Sequence, residues 1–347
     1  MAETCDRLPC RYLIAALFLL PLAFGTTGCN RITPAKHFDQ SLTWIPFEWE
    51  DRLAPDGSVE VEKVAMFVPL TLEGVPHQFR AQFDLGAGHS LLYGNPIAPY
   101  LEAYPAFRAK LDTSRINASV HGEIMTSFPA LTFQVGPVTF NEHGLALLKD
   151  YGEEIDPDSM DAPTPWKVGT IGSSLFRDTT LIIDYPHQRL AMMGRLPDAI
   201  ANRVAFVDMT LENGKIKVPI SIDGKTYDVL FDTGSSMFPL LVPSPDWQRF
   251  RDSTASVDTL QISSWGTMID VYGSPTRSGV YVGGVRLQGD RVYGIPHKGF
   301  RDFFKQLGIL GLMGNDLFLD DQIIIDFPGR RFGVATDLFA DSVGHHD

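Results

Sequence analysis

FDLGAGHS at residues 83–90 and FDTGSSMF at residues 231–238 are two versions of one segment, and their reading decides the fold. The first is led by VPLTLEGVPHQFRAQF (68–83) and the second by VPISIDGKTYDVLF (218–231). Both leads read as a β-hairpin that turns at Gly74 or Gly224 and whose second strand runs into the aspartate. The likeness continues downstream in the same order. FQVGPVTF (133–140) matches VYVGGVRL (280–287), GTIGSSLF (169–176) matches GLMGNDLF (311–318), and LIIDYPHQRLAMM (181–193) matches IIIDFPGRRFGVA (323–335). Gly136 lies 52 residues after Asp84 and Gly283 lies 51 after Asp232, while the step from Gly172 to Asp184 and from Gly314 to Asp326 is 12 in both halves. Matched segments in one order at nearly one spacing indicate a duplicated unit.

The copies divide the chain into a first lobe over 47–200 and a second over 201–338, with a tail at 339–347. Asn213-Gly214, between alternating runs, marks a hairpin at the start of the second. Short Val, Ile and Phe runs, with 31 Gly and 24 Pro, predict a mainly β protein with few helices. Helices are expected at 97–111, at 244–250 with Ser244 as N-cap, and at 299–307. The acidic, proline-containing stretch 150–166 reads as a surface loop of the first lobe alone.

The chemistry follows from the repeat. Hydrolysis of a peptide bond without Ser, Cys or metal needs a water made nucleophilic and a proton for the departing amine. Two carboxyl groups a few ångströms apart supply both, because like charges that close hold one proton between them. Asp84 and Asp232, one per copy and each in Asp-X-Gly, are the candidates. The alternatives are poorer. No His-Glu-X-X-His, no Gly-X-Ser-X-Gly elbow and no phosphate-cradling glycine loop occurs, so no metal and no cofactor is expected. Asp184 and Asp326, each ending a β-run before Tyr-Pro or Phe-Pro, read as structural.

FDTGSS after a β-run, with Gly-Leu-Met-Gly some 80 residues on, resembles the aspartic-peptidase superfamily, over nearly all of 60–336. The short lobes and the Gly-X-X-Gly … Asp-Tyr/Phe-Pro … Arg endings look like retroviral-type subunits (retropepsins) fused in tandem. The resemblance implies a bilobal, pepsin-like acid-protease barrel with pseudo-twofold symmetry and catalytic Asp84 and Asp232. Gly86 and Gly234 are then expected to allow a turn closed to residues with a Cβ, and Gly172 and Gly314 to let two backbones pass closely. Thr233 would grip the opposite loop and Ser236 would hydrogen-bond its carboxylate. By position SVHGEIM (119–125) and SSWGTMI (263–269) are flap candidates, with Gly122 and Gly266 near the tips and Trp265 beside one of them. The first copy departs from the pattern: Leu85, Ala87 and Gly88 stand where the second has Thr233, Ser235 and Ser236. That departure motivates the alternative of a bilobal protein that binds peptide, or an envelope partner, without cleaving it.

The rest of the chain concerns location. Arg7 and Arg11 precede an apolar run at 13–24, then small residues and Cys29, so 1–29 resembles a bacterial lipoprotein signal with Cys29 as the lipidated residue. Asn30 after that cysteine implies an outer-membrane lipoprotein facing the periplasm, with 30–46 as a tether. All three cysteines (Cys5, Cys10, Cys29) fall in this region, which leaves the remainder without a thiol nucleophile or a disulfide. The net charge of −13 without a basic stripe argues against nucleic acid as a partner. A peptide or protein substrate and a monomeric state are expected, since a fused repeat removes the need to dimerise.

Overall fold

The computed structural model describes residues 34–53, 59–118, 124–264 and 267–339. The described residues form one unit. It is mainly β, as the short apolar runs predict, and its strands make sheets of eight, ten and six. The eight-stranded sheet is drawn from residues 48–171 and the ten-stranded one from 210–313.

Alternation in sequence becomes alternation in burial. Lys215–Ile222 buries every second residue, Ile216, Val218, Ile220 and Ile222, and Gln78–Phe83 likewise buries Phe79, Ala81 and Phe83. One face of each strand therefore lies on the core. Matched strands also meet matched neighbours. Gln78–Phe83 runs parallel to Trp166–Ile171 with Phe83 opposite Ile171, and Lys225–Phe231 runs parallel to Leu312–Met313 with Phe231 opposite Met313. Each aspartate thus leaves the end of a strand held by the strand that leads into the downstream glycine.

The six-stranded sheet combines both copies. Thr180–Asp184 lies antiparallel to Gln322–Asp326, with Ile182 opposite Ile324. Every residue of these two strands is buried, which accounts for continuous apolar runs where alternation would leave one face wet. Burial of each such Ile contributes about 1.5–3 kcal/mol. Asp184 and Asp326 close the hairpins that follow, each bonded to an arginine five residues on: Arg189 Nε to Asp184 at 2.7 Å and Arg331 Nε to Asp326 at 3.1 Å.

Several expectations need correction. From Pro34 the expected tether is ordered. Pro34–Ser41 is a helix, and Trp44–Pro46 adds a strand to the six-stranded sheet against Arg189–Met193. Phe38 is buried and stacks on Phe339, the first residue of the expected tail, at 6.0 Å, so this entry segment belongs to the core. The helix expected at 97–111 is two, Gly94–Ala103 and Pro105–Arg108, because Pro105 disfavours a helical Tyr104. Ser244 is the first residue of its helix and makes no side-chain cap; Pro243 occupies the cap position. The 150–166 stretch is a largely exposed loop, as expected, anchored by buried Ile155 and by the Trp166 indole, which donates to Ser159 O at 2.9 Å. The described strands on either side of the flap candidates pair, Asp112–Ala118 with Ile124–Val135 and Asp258–Ser264 with Thr267–Pro275. Their tips, with Gly122, Trp265 and Gly266, lie outside the described residues, as does Cys29. Among the described residues no helix is long and apolar enough to cross a membrane.

Candidate active site

Asp84 and Asp232 begin equivalent turns. Asp84 N–H donates to Ile171 O at 3.0 Å and Asp232 N–H to Met313 O at 2.9 Å, so each aspartate is held to the strand beneath it. The turns then close by Ala87 N–H to Asp84 O and Ser235 N–H to Asp232 O, both at 3.1 Å. Within its own turn Asp84 Oδ1 accepts one bond, from Ala87 N–H at 3.0 Å. Asp232 accepts two, from Gly234 N–H at 2.9 Å and from the Ser235 hydroxyl at 2.9 Å. Ser235 therefore supplies the hydroxyl that had been expected from Ser236.

The fold brings the two carboxyl groups into each other's electrostatic reach. Burial, and then the charge of Asp232, push the Asp84 carboxyl up to about 7; the Ala87 N–H and the charge of Lys215 pull it the other way. The glycine of each turn lies against the carboxylate of the other. A Cβ on Gly86 would fall 2.2 Å from Asp232 Oδ1, and one on Gly234 would fall 2.6 Å from Asp84 Cγ. This corrects the conformational reason expected for both glycines. Neither has a positive φ, and what excludes a side chain is the carboxylate from the opposite copy. Gly172 and Gly314 lie close to backbone. Their Cβ positions fall 2.5 Å from His89 O and 2.1 Å from Ser235 O respectively.

Thr233 is fully buried and bonds the first turn twice, accepting from Leu85 N–H at 2.8 Å and donating to Phe83 O at 2.9 Å. Leu85, also fully buried, packs into the main hydrophobic core and has no hydroxyl with which to return the bond. Beneath the second turn lies a network that the sequence reading missed. Asn315 Nδ2 donates to Thr233 O at 3.0 Å and to Ser236 Oγ at 2.9 Å, and its Oδ1 accepts from the Tyr185 hydroxyl at 2.7 Å. Tyr185 comes from the first copy, so this network also crosses between halves. The counterpart of Asn315 is Ser173, and that difference inside a matched segment was the available signal. In the first copy Ser90 Oγ accepts Gly172 N–H at 3.0 Å, the place taken by Phe238 O in the second.

Among the described residues no cluster of His, Cys, Asp and Glu has the makings of a metal site. An open cavity of about 550 Å³ lies apart from the two turns, lined by residues including Trp49, Lys63, Tyr185 and Asp316. No family model and no curated protein matches the sequence. Among solved structures, Basic 7S globulin from soybean is similar with a TM-score of 0.43 at 12% identity, over 87% of this chain and 96% of that one.

Proposed function

We propose that this protein is an aspartic endopeptidase whose active site is built within one chain. The single observation that carries the reading is the facing of Asp84 and Asp232, the carboxylate of each lying against the glycine of the opposite turn, where burial and the charge of Asp232 push the Asp84 carboxyl up to about 7. Asp232 accepts two hydrogen bonds in its own turn and Asp84 one, so negative charge is better held on Asp232. In the proposed reaction Asp232 takes a proton from a water as its oxygen attacks the peptide carbonyl carbon. Asp84 protonates the carbonyl oxygen, giving a neutral tetrahedral intermediate. Collapse of that intermediate breaks the C–N bond: one hydroxyl proton returns to Asp84 as the carboxyl carbonyl forms, and the proton gained by Asp232 passes to the leaving nitrogen, which restores the pair.

The finer architecture that goes with this reading is a bilobal, pepsin-like barrel with pseudo-twofold symmetry. Its support is the pairing of Ile182 with its own repeat counterpart Ile324, and the equivalent parallel pairs Phe83–Ile171 and Phe231–Met313. We further propose, from the sequence up to Asn30 alone, an exported lipoprotein anchored at the outer membrane and facing the periplasm. Its substrate would be a peptide or protein met in the cell envelope, bound by a monomer.

The test is cleavage of a diverse peptide library between about pH 3 and 8, a span that covers titration of a shared-proton pair, with Asp84→Asn and Asp232→Asn alongside. Loss in both variants is expected, and cleavage that survives either one overturns the assignment. A second reading, peptide binding without cleavage, draws on the poorer bonding of Asp84 and on Leu85. It predicts no cleavage by folded protein at any pH, together with retained peptide affinity.

A further inference from the structure

Leu85 removes one half of a two-way clasp between the aspartate turns, and the chain places something else at that point. The Asn213-Gly214 turn joins the strands Thr210–Glu212 and Lys215–Ile222 of the second copy, with φ of 51° and 78° at its two residues. Its tip rests on the first copy's aspartate turn. A Cβ on Gly88 would fall 2.7 Å from Asn213 O, and one on Gly214 would fall 2.8 Å from Gly88 Cα, so the two backbones touch where a side chain on either would hold them apart. The Ser173 hydroxyl donates to Gly214 O at 2.5 Å. Next along the strand, the Lys215 ammonium donates to Gly86 O, inside the Asp84 turn.

The arrangement is one-sided. The counterpart of Lys215 in the first copy is Ala65, which has no charge to offer, and the counterpart of Gly88 is Ser236, whose hydroxyl accepts from Asn315. Lys217 lies on the same strand face as Lys215, yet it bonds Glu212 and Leu307 O. Lys215 instead goes to a carbonyl one residue beyond Leu85. Among the described residues a lysine is bonded to the turn that lacks a gripping hydroxyl and not to the other.

We infer that Lys215, carried by the Asn213-Gly214 turn, is a positioning residue that holds the Asp84 turn from the opposite half of the chain, in the place of the bond that Leu85 does not make. The inference refines the peptidase reading by naming what orients its weaker carboxyl. Lys215 acts by a direct bond to the turn and by its field. The charged and titratable groups that act on Asp84 are Asp232 from the second turn, Lys215 from the hairpin, and Lys167 and Tyr93 from the flanking strands of its own sheet. Lys167 is itself bonded to Gln82 Oε1 at 2.9 Å and lies near Glu50 and Arg80.

The test compares Lys215→Met and Lys215→Arg with wild type in the full-length chain. The Asp84 midpoint is read by carbon-13 NMR of labelled aspartate carboxyls, assigned with Asp84→Asn, and peptide cleavage is followed against pH. In Lys215→Met the midpoint is expected to rise by about one pH unit, the low end for loss of a cation beside a carboxyl. The alkaline limb of cleavage should move the same way, kcat should fall about tenfold with KM little changed, and Lys215→Arg should restore both midpoint and limb. A midpoint and limb that stay put in a folded Lys215→Met protein overturn the inference, because a lysine that only stabilised the hairpin would leave both unmoved. If Lys215→Met does not fold, Ser173→Ala serves, since it frees the turn and is expected to move the midpoint upward by a smaller step; no movement there overturns the inference as well. If wild type cleaves nothing, the peptidase reading fails, and the NMR titration still decides the role of Lys215.

Discussion

Thr233 and Leu85 occupy equivalent places in the two aspartate turns, and the bond between them runs one way: Leu85 N–H donates to Thr233 Oγ1 at 2.8 Å, and the Leu85 side chain returns none. The same hydroxyl donates to Phe83 O at 2.9 Å, so one buried oxygen serves two backbone groups of the opposite copy.

Replacement of Thr233 by Val leaves the Leu85 N–H and Phe83 C=O buried without that partner. A loss of about 1–3 kcal/mol is expected for each group left unpaired. Thr233→Ser keeps the hydroxyl and should lie within about 1 kcal/mol of wild type. Urea unfolding monitored by tryptophan fluorescence measures both, and equal midpoints for Val and Thr would show that the grip contributes nothing.

The four site glycines should separate into two classes on substitution by Ala. At Gly86 and Gly234 the new methyl meets an aspartate side chain, which can swing away. The expected result is a folded protein with its carboxyl pair broken and cleavage reduced at least about 100-fold, as for misplaced reacting groups. At Gly172 and Gly314 the methyl meets backbone oxygens that cannot move alone, so the expected loss is of stability, by about 1–3 kcal/mol. Thermal midpoints set beside cleavage rates distinguish the classes; four variants alike in both would remove the distinction.

Asp84 also predicts how stability depends on pH. Its folded value, about 7, lies above its ordinary value of 3.8, so between these the folded state holds a proton that the unfolded state has released. The contribution of this group is fully present below about pH 3.8 and is lost as pH rises through about 7. Asp84→Asn has no such proton to lose. Its thermal midpoint, relative to wild type, should therefore climb from pH 4 to pH 7 and level off above. A constant difference across that window would place the Asp84 carboxyl in the ordinary range.

Asn315→Leu removes the donor to Thr233 O and Ser236 Oγ and leaves the buried Tyr185 hydroxyl without its acceptor. A loss of about 2–4 kcal/mol is expected from the groups left unpaired, with cleavage falling further than unfolding explains because the Asp232 turn loses its support. Addition of Tyr185→Phe to the variant should recover part of the stability and none of the activity. Failure to recover stability would mean that the tyrosine had found another partner.

Much of this was legible in the chain. The mainly β character, the strand leading into each aspartate and the structural place of Asp184 and Asp326 follow from local patterns that occur twice in the sequence, and a pattern that occurs twice carries its own control. The error at 30–46 has a physical cause: a short polar segment with Pro34 reads as linker, and Phe38 becomes a core residue through a cluster drawn from far along the chain, with Ile182, Ile200, Leu338 and Phe339 among its members. The hydroxyl on Asp232 went to the wrong serine because Ser235 and Ser236 are adjacent, and the direction each side chain takes depends on the turn and on Asn315.

The sequence by itself determined which residues would be paired, since copy number, order and spacing are linear properties of the chain. How the pairing is held was decided by the tertiary structure alone. Gly86 and Gly234 look like turn glycines in sequence, and their reason is the carboxylate that the other copy places over each of them. Leu85 looks like a simple loss, yet a hairpin beginning more than a hundred residues later brings Lys215 to the same turn. Local sequence encodes backbone preference; a distance between two atoms far apart in the chain is set only when the sheets that carry them have packed.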